Sequence, residues 1–140
     1  MLRDAARLLS QRGLTVTIVD ERSEIAACRQ GVPSLDVGEN TDVLDGCPKG
    51  KGIPLALRAM SPQVMITDEI GGAEDADAIA EAARCGVAIV ASAHGASYDD
   101  VQKRNILGAI LKTQVFDYIA VLSGRGCIGG VYTGAGERIA

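Results

Sequence analysis

The sequence predicts an α/β fold, a mostly parallel sheet flanked by helices. Two observations carry that expectation. Short apolar runs rich in Val and Ile alternate along the chain with segments of helical periodicity, and Gly, Pro or Asp punctuates nearly every change of pattern.

Residues 2–12 place Leu2, Ala5, Ala6 and Leu9 on one helical face and stop at Gly13. Residues 14–19 alternate β-branched and polar residues as a strand does, ending at Asp20. The stretch 28–52 is rich in Gly, Pro and Asp without periodicity, and reads as a loop of a length usually reserved for function or mobility. Ile53, Leu57 and Met60 mark a helix with Pro54 near its start and Ser61-Pro62 at its close. Residues 64–67 form a short apolar strand that runs into Asp68-Glu69, and Gly71-Gly72 follows. The next helix carries an Ala76, Ile79, Ala80, Ala83 stripe, with Glu74, Asp75 and Asp77 in its first turn and Gly86 beyond its end. A strand at 87–91 delivers Ser92, Ala93 and His94 to its C-terminal end. Ser97 and Asp100 are a capping pair for a helical region reaching about 112, with Gly108 inside it. Residues 118–122 read as a further strand and 127–133 as a terminal hairpin. The expectation is one domain spanning 1–140.

With 140 residues, 47% of them hydrophobic, the chain can bury a core. Eighteen acidic and fourteen basic residues give a net charge of −4 with no long single-sign run, which provides no electrostatic footprint for nucleic acid or anionic lipid. The absence of Trp and the scarcity of Tyr and Phe also argue against a base-stacking platform. Apolar stretches fall short of the roughly 18 residues of a membrane span, and Asp4 and Arg7 stand where a signal sequence would be apolar. A cytoplasmic location is expected. Cys28, Cys47, Cys85 and Cys127 contain no C-x-x-C pair and are joined by a single histidine, His94, so neither zinc-site nor disulfide spacing is present.

In open parallel sheets the binding crevice lies outside the C-terminal strand ends. Asp20-Glu21, Asp68-Glu69 and His94 all fall at that edge. An apolar strand ending in two acids suits a magnesium–nucleotide site. Asp68 would help hold a hydrated Mg²⁺ and Glu69 would orient or deprotonate the attacking water. Taken singly, each acid pair also reads as a solvated turn and His94 as a structural histidine; three successive strands doing the same is the more specific signal. Arg22, Arg29, Arg58 and Arg84 are available to a phosphate, and sequence does not select among them, nor against an arginine finger from a neighbouring subunit.

Five blocks, VDERSEIA (19–26), QGVPSLDVG (30–38), TDVLDGCPK (41–49), MSPQVMITDEIG (60–71) and ASAHG (91–95), resemble consecutive segments of the stage III sporulation protein AA family. That family belongs with the hexameric secretion and pilus ATPases. The resemblance implies a RecA-like P-loop NTPase sheet and ATP with Mg²⁺ as cofactors. It makes Asp20-Glu21 an aspartate box, Asp68-Glu69 a Walker B and His94 a histidine box. Glu69, Glu21 and His94 would then be catalytic, Asp20 and Arg22 cofactor-binding, and Asp68 the metal residue, acting through water. It also implies a hexameric homo-oligomer in the mother cell of a sporulating bacterium, acting with membrane-embedded channel proteins to energise transport between mother cell and forespore.

One departure is large. Family members carry G-x-x-x-x-G-K-T followed by a helix reading roughly T-L-L-R-D, whereas this sequence opens at Met1-Leu2-Arg3-Asp4 and contains no G-x-x-x-x-G-K-[ST]. Cys47-Pro48-Lys49-Gly50-Lys51-Gly52 has neither the spacing nor a Ser or Thr after the lysine. The chain is therefore expected to be the part of an ATPase domain that follows the Walker A loop, binding ATP weakly or not at all by itself. The alternative is a non-catalytic interaction or ring-assembly module. A phosphatase or other Mg²⁺-dependent hydrolase using Asp20 and Asp68 is a third reading, without a nucleophile motif to support it. By resemblance the strands at 14–19, 64–67 and 87–91 lie side by side in that order. With the Walker A strand absent, 118–122 is expected to pair directly with 87–91.

Overall fold

The computed structural model describes residues 1–124 and 126–140. The chain divides into two units, Met1–Ala93 and His94–Ala140, each with its own sheet.

The first unit runs α1 (Leu2–Gln11), β1 (Val16–Asp20), β2 (Thr41–Asp45), α2 (Lys49–Met60), β3 (Val64–Thr67), α3 (Ala73–Arg84) and β4 (Ala88–Ala91). Its four strands are all parallel, in the order β2-β1-β3-β4. All residues of β1 and β3 are buried, as the central strands of a parallel sheet covered on both faces must be. Alternation sends Val16, Ile18, Val64 and Ile66 to one face, where they meet Ala6 of α1 together with Ile25, Ala26 and Val37. On the other side α2 packs on β1 and against α3, which in turn packs on β4. The expected lateral order of the strands at 14–19, 64–67 and 87–91 is found.

The expected structureless loop at 28–52 is corrected: it contains β2 and the first turn of α2. Thr41–Asp45 is a half-exposed edge strand with two acids among its five residues, so its own β-propensity is poor and pairing with β1 decides its conformation. Gly50 and Gly52 mask the helical pattern of α2 because their role is close packing. A Cβ on Gly52 would lie 2.9 Å from Val19 Cγ1 and 3.2 Å from Leu44 Cδ2, and one on Gly50 would lie 3.1 Å from Glu74 Cβ. Helix α3 matches expectation. The Asp75 carboxylate accepts the N–H groups of Gly71 (3.1 Å) and Gly72 (3.2 Å), satisfying donors left free at the helix start.

The second unit contains α4 (Tyr98–Lys103), α5 (Asn105–Lys112), β5 (Tyr118–Gly124) and β6 (Cys127–Thr133). The single helical region expected at 97–112 is two helices, broken where Arg104 adopts an extended conformation (φ −77°, ψ 136°). Gly108 accommodates the break, since a Cβ there would collide with the Gln102 carbonyl oxygen. Ser97 caps α4 as expected, its Oγ accepting the Asp100 N–H at 3.1 Å. Direct pairing of 118–122 with 87–91 is also corrected: β5 pairs with β6, antiparallel, in a two-stranded sheet. An antiparallel partner close in sequence costs little loop entropy, whereas a parallel partner would require a crossover through 92–117. Tyr98 and Tyr132 stack with ring centroids 4.2 Å apart. Among the described residues no helix is long and apolar enough to cross a membrane.

Candidate functional site

Parallel register levels the strand ends. Asp20 pairs with Asp45 and Val19 with Thr67, so Asp68 follows β3 alongside the end of β1. Thr67 in turn pairs with Ala91, which brings Ser92 beside Asp68-Glu69. Residues distant in sequence thereby share one rim in the first unit.

Asp20 is fully buried and its carboxylate faces the chain that follows it. Oδ1 accepts the Glu24 N–H at 2.9 Å, and Oδ2 accepts those of Ile25 (3.0 Å) and Ala26 (2.9 Å). These bonds turn the chain sharply after β1 and aim Glu21 and Arg22 over the rim. The turn is reinforced by Ser23, whose hydroxyl bonds to Asp45. Arg22 Nη1 donates to Glu69 Oε2 at 2.9 Å, and both side chains are substantially exposed.

Glu69 occupies strained backbone, with φ at +27°, a region that L side chains rarely adopt. Ser92 holds it there. Its Oγ accepts the Glu69 N–H at 3.0 Å and its carbonyl accepts the Ile70 N–H at 2.9 Å. Asp68 is buried beside it.

Lys49, which sequence reasoning passed over, is the cation at the centre of the rim. It opens α2 and is only 5% exposed. Its Nζ lies 2.9 Å from Glu21 Oε2 and 3.4 Å from Asp68 Oδ1. The same Glu21 oxygen accepts the Lys49 backbone N–H at 3.4 Å, placing a carboxylate at the positive end of α2. Burial is the largest single influence on the ammonium and disfavours it. The bonds and charges of Glu21 and Asp68 together overcome it, so Lys49 holds its proton above the ordinary lysine range. The Lys49 hydrogen bond pulls Glu21 below the ordinary carboxylate range, against a smaller opposing effect of burial. A buried lysine at a helix start leaves no periodic mark, and the neighbouring glycines drew attention only as a failed phosphate-loop pattern. Ser92 is likewise visible only once the strands are paired.

His94 begins the second unit and is exposed; its carbonyl accepts a bond from Arg104 Nη1 at 2.8 Å. Arg29, Arg58 and Arg84 are exposed and form no ion pair among the described residues.

Among the described residues no three His, Cys, Asp or Glu side chains converge as a metal cage. Asp68 is bonded, among the described residues, by Lys49 alone.

Rim and sheet define an α/β protein with its candidate chemistry at the C-terminal strand ends, and sequence comparison identifies the kind. Residues 1–139 match the family described as sporulation stage III, protein AA, and the chain belongs to that family. It is 45% identical over 140 residues to stage III sporulation protein AA of Bacillus subtilis (strain 168), an alignment covering 94% of this chain and 46% of that protein. The chain thus spans about half the length of its curated relative.

Proposed function

We propose that this rim is the metal-binding and water-activating side of an ATP-hydrolysing site of the RecA-like P-loop class. The observation that carries the reading is the placement of Asp68-Glu69 at the end of a central parallel strand, beside Glu21-Arg22. Asp68 would hold Mg²⁺ through water, and the ion when bound would neutralise phosphate charge. Glu69 is the proton acceptor for the attacking water, with its backbone fixed by Ser92 and its carboxylate oriented by Arg22. Arg22 is well placed to exchange Glu69 for a phosphate oxygen, as charge stabilisation of phosphoryl transfer requires. Asp20 supports this chemistry by holding the turn that presents Glu21 and Arg22, its oxygens being engaged by backbone N–H groups. His94 keeps the histidine-box role that the resemblance gives it. Because the sequence carries no G-x-x-x-x-G-K-[ST], nucleotide affinity of this chain alone is weak. Full-length family members would form a hexameric ring in the mother cell, powering a membrane-embedded channel between mother cell and forespore.

The test is made in a full-length family member containing the phosphate loop. Glu69→Gln at the equivalent position is expected to retain ATP binding while turnover falls by about a hundredfold or more, because the amide cannot accept the water's proton. Turnover at the unmutated rate would remove Glu69 from the mechanism.

A further inference from the structure

A cavity of about 500 Å³ lies within the second unit, and it has the size of a small-molecule site. The last turns of α4 and α5 bring Lys103 and Lys112 to it, and the turn at 134–135 after β6 closes it. One lysine in a last turn is commonplace, since it complements the helix dipole. Two of them on one cavity, against the single carboxylate of Asp99, make the lining net positive in a chain whose net charge is −4.

Tyr98 supplies the buried polar group of the lining. It is 5% exposed, and its ring is fixed by stacking on Tyr132. Its hydroxyl accepts a hydrogen bond from Gln102 Nε2 at 3.0 Å, while its own proton meets no acceptor among the described residues. A buried donor left unspent costs free energy until a bound oxygen takes it. The backbone keeps the space beside it clear. Gly136 has φ +91°, and a Cβ there would stand 3.0 Å from the Tyr98 hydroxyl oxygen and 3.5 Å from Gln102 Nε2. Half-buried Leu111 gives the same cavity an apolar patch.

We propose that this cavity binds a small organic anion, a carboxylate or a phosphate ester. Lys103 and Lys112 supply its counter-charge, the Tyr98 hydroxyl donates to one of its anionic oxygens, and Leu111 covers its organic body. Carboxylate and phosphate share what the lining selects, negative charge on oxygens that accept several hydrogen bonds at once. The site uses no residue of the rim, so it stands or falls apart from the reading of Asp68 and Glu69.

The experiment uses this chain with ¹³Cε-labelled lysines, titrated with inorganic phosphate, glycerol 3-phosphate or glutarate against NaCl of matched ionic strength. The Lys103 and Lys112 resonances are expected to move together and saturate with one dissociation constant, while those of Lys49 and Lys51 stay in place. Glycerol 3-phosphate is expected to bind more tightly than inorganic phosphate if a phosphate ester is the ligand, and glutarate to saturate the same resonances if a carboxylate is. Tyr98→Phe keeps the stacked ring and is expected to weaken binding by about tenfold, the loss of one hydrogen bond to a charged group. The wild-type titration requires no variant to fold, and circular dichroism checks the variant. Shifts that fail to saturate with every anion, or that appear equally at Lys51, are surface association and overturn the proposal. Saturable binding that Tyr98→Phe leaves unchanged also overturns it, because the anion then lies outside the cavity.

Discussion

Two hydrogen-bonded ions of opposite sign, Glu21 and Lys49, fix the pH behaviour of the rim. Glu21 is lowered from 4.5, so its contribution to stability is present above that value and is lost as pH falls through the lowered folded-state value. Lys49 is raised from 10.5, so its contribution is present below that value and is lost as pH rises through the raised one. The stabilisation therefore spans neutral pH and disappears at both extremes. Lys49→Met leaves the buried Asp68 without its cation, and is expected to cost about 3 kcal/mol near neutrality. Chemical denaturation of wild type and variant across pH checks this. The gap should shrink in acid as Glu21 protonates; a gap independent of pH would show that pairing with Glu21 is not its source.

At the scale of elements, close contact between α2 and β1 brings Lys49 to the carboxylates. Gly52 permits that contact, because an added Cβ would meet Val19 and Leu44 well inside van der Waals separation. Gly52→Ala is expected to destabilise the chain by about 1–3 kcal/mol through overpacking, despite alanine's better helix propensity. Urea denaturation measures it, and a stabilised variant would contradict the account. The same glycines show what could be read in the sequence. Helices α1 and α3 and strands β1, β3 and β4 announced themselves through periodicity, β-branched runs and capping residues. Strand β2 did not, because an acidic edge strand is specified by its partner rather than by its own side chains. The start of α2 was hidden by glycines selected for packing, and with it went Lys49, whose burial is a tertiary fact. The acid pairs were legible because apolar strands ending in carboxylates are a local pattern. The commitment of Asp20 to the backbone of residues 24–26 was not, since an acid after a strand looks the same whether it faces solvent or its own loop.

For the molecule as a whole, parallel topology turns a linear series of strand ends into one surface. Glu21, Lys49, Asp68 and Ser92 meet only because β1, β2, β3 and β4 all run the same way and stay nearly in register. The proposed division of labour follows from that surface: Asp68 toward the metal, Glu69 toward water, Lys49 and Arg22 as cations that order the acids beforehand. The most direct measurement is the Mg²⁺ dependence of ATP turnover in a full-length family member, with and without Asp68→Asn at the equivalent position. The account predicts that the Mg²⁺ concentration for half-maximal turnover rises by about tenfold or more in the variant, as expected for a residue that holds a metal through water. An unchanged Mg²⁺ requirement would contradict it.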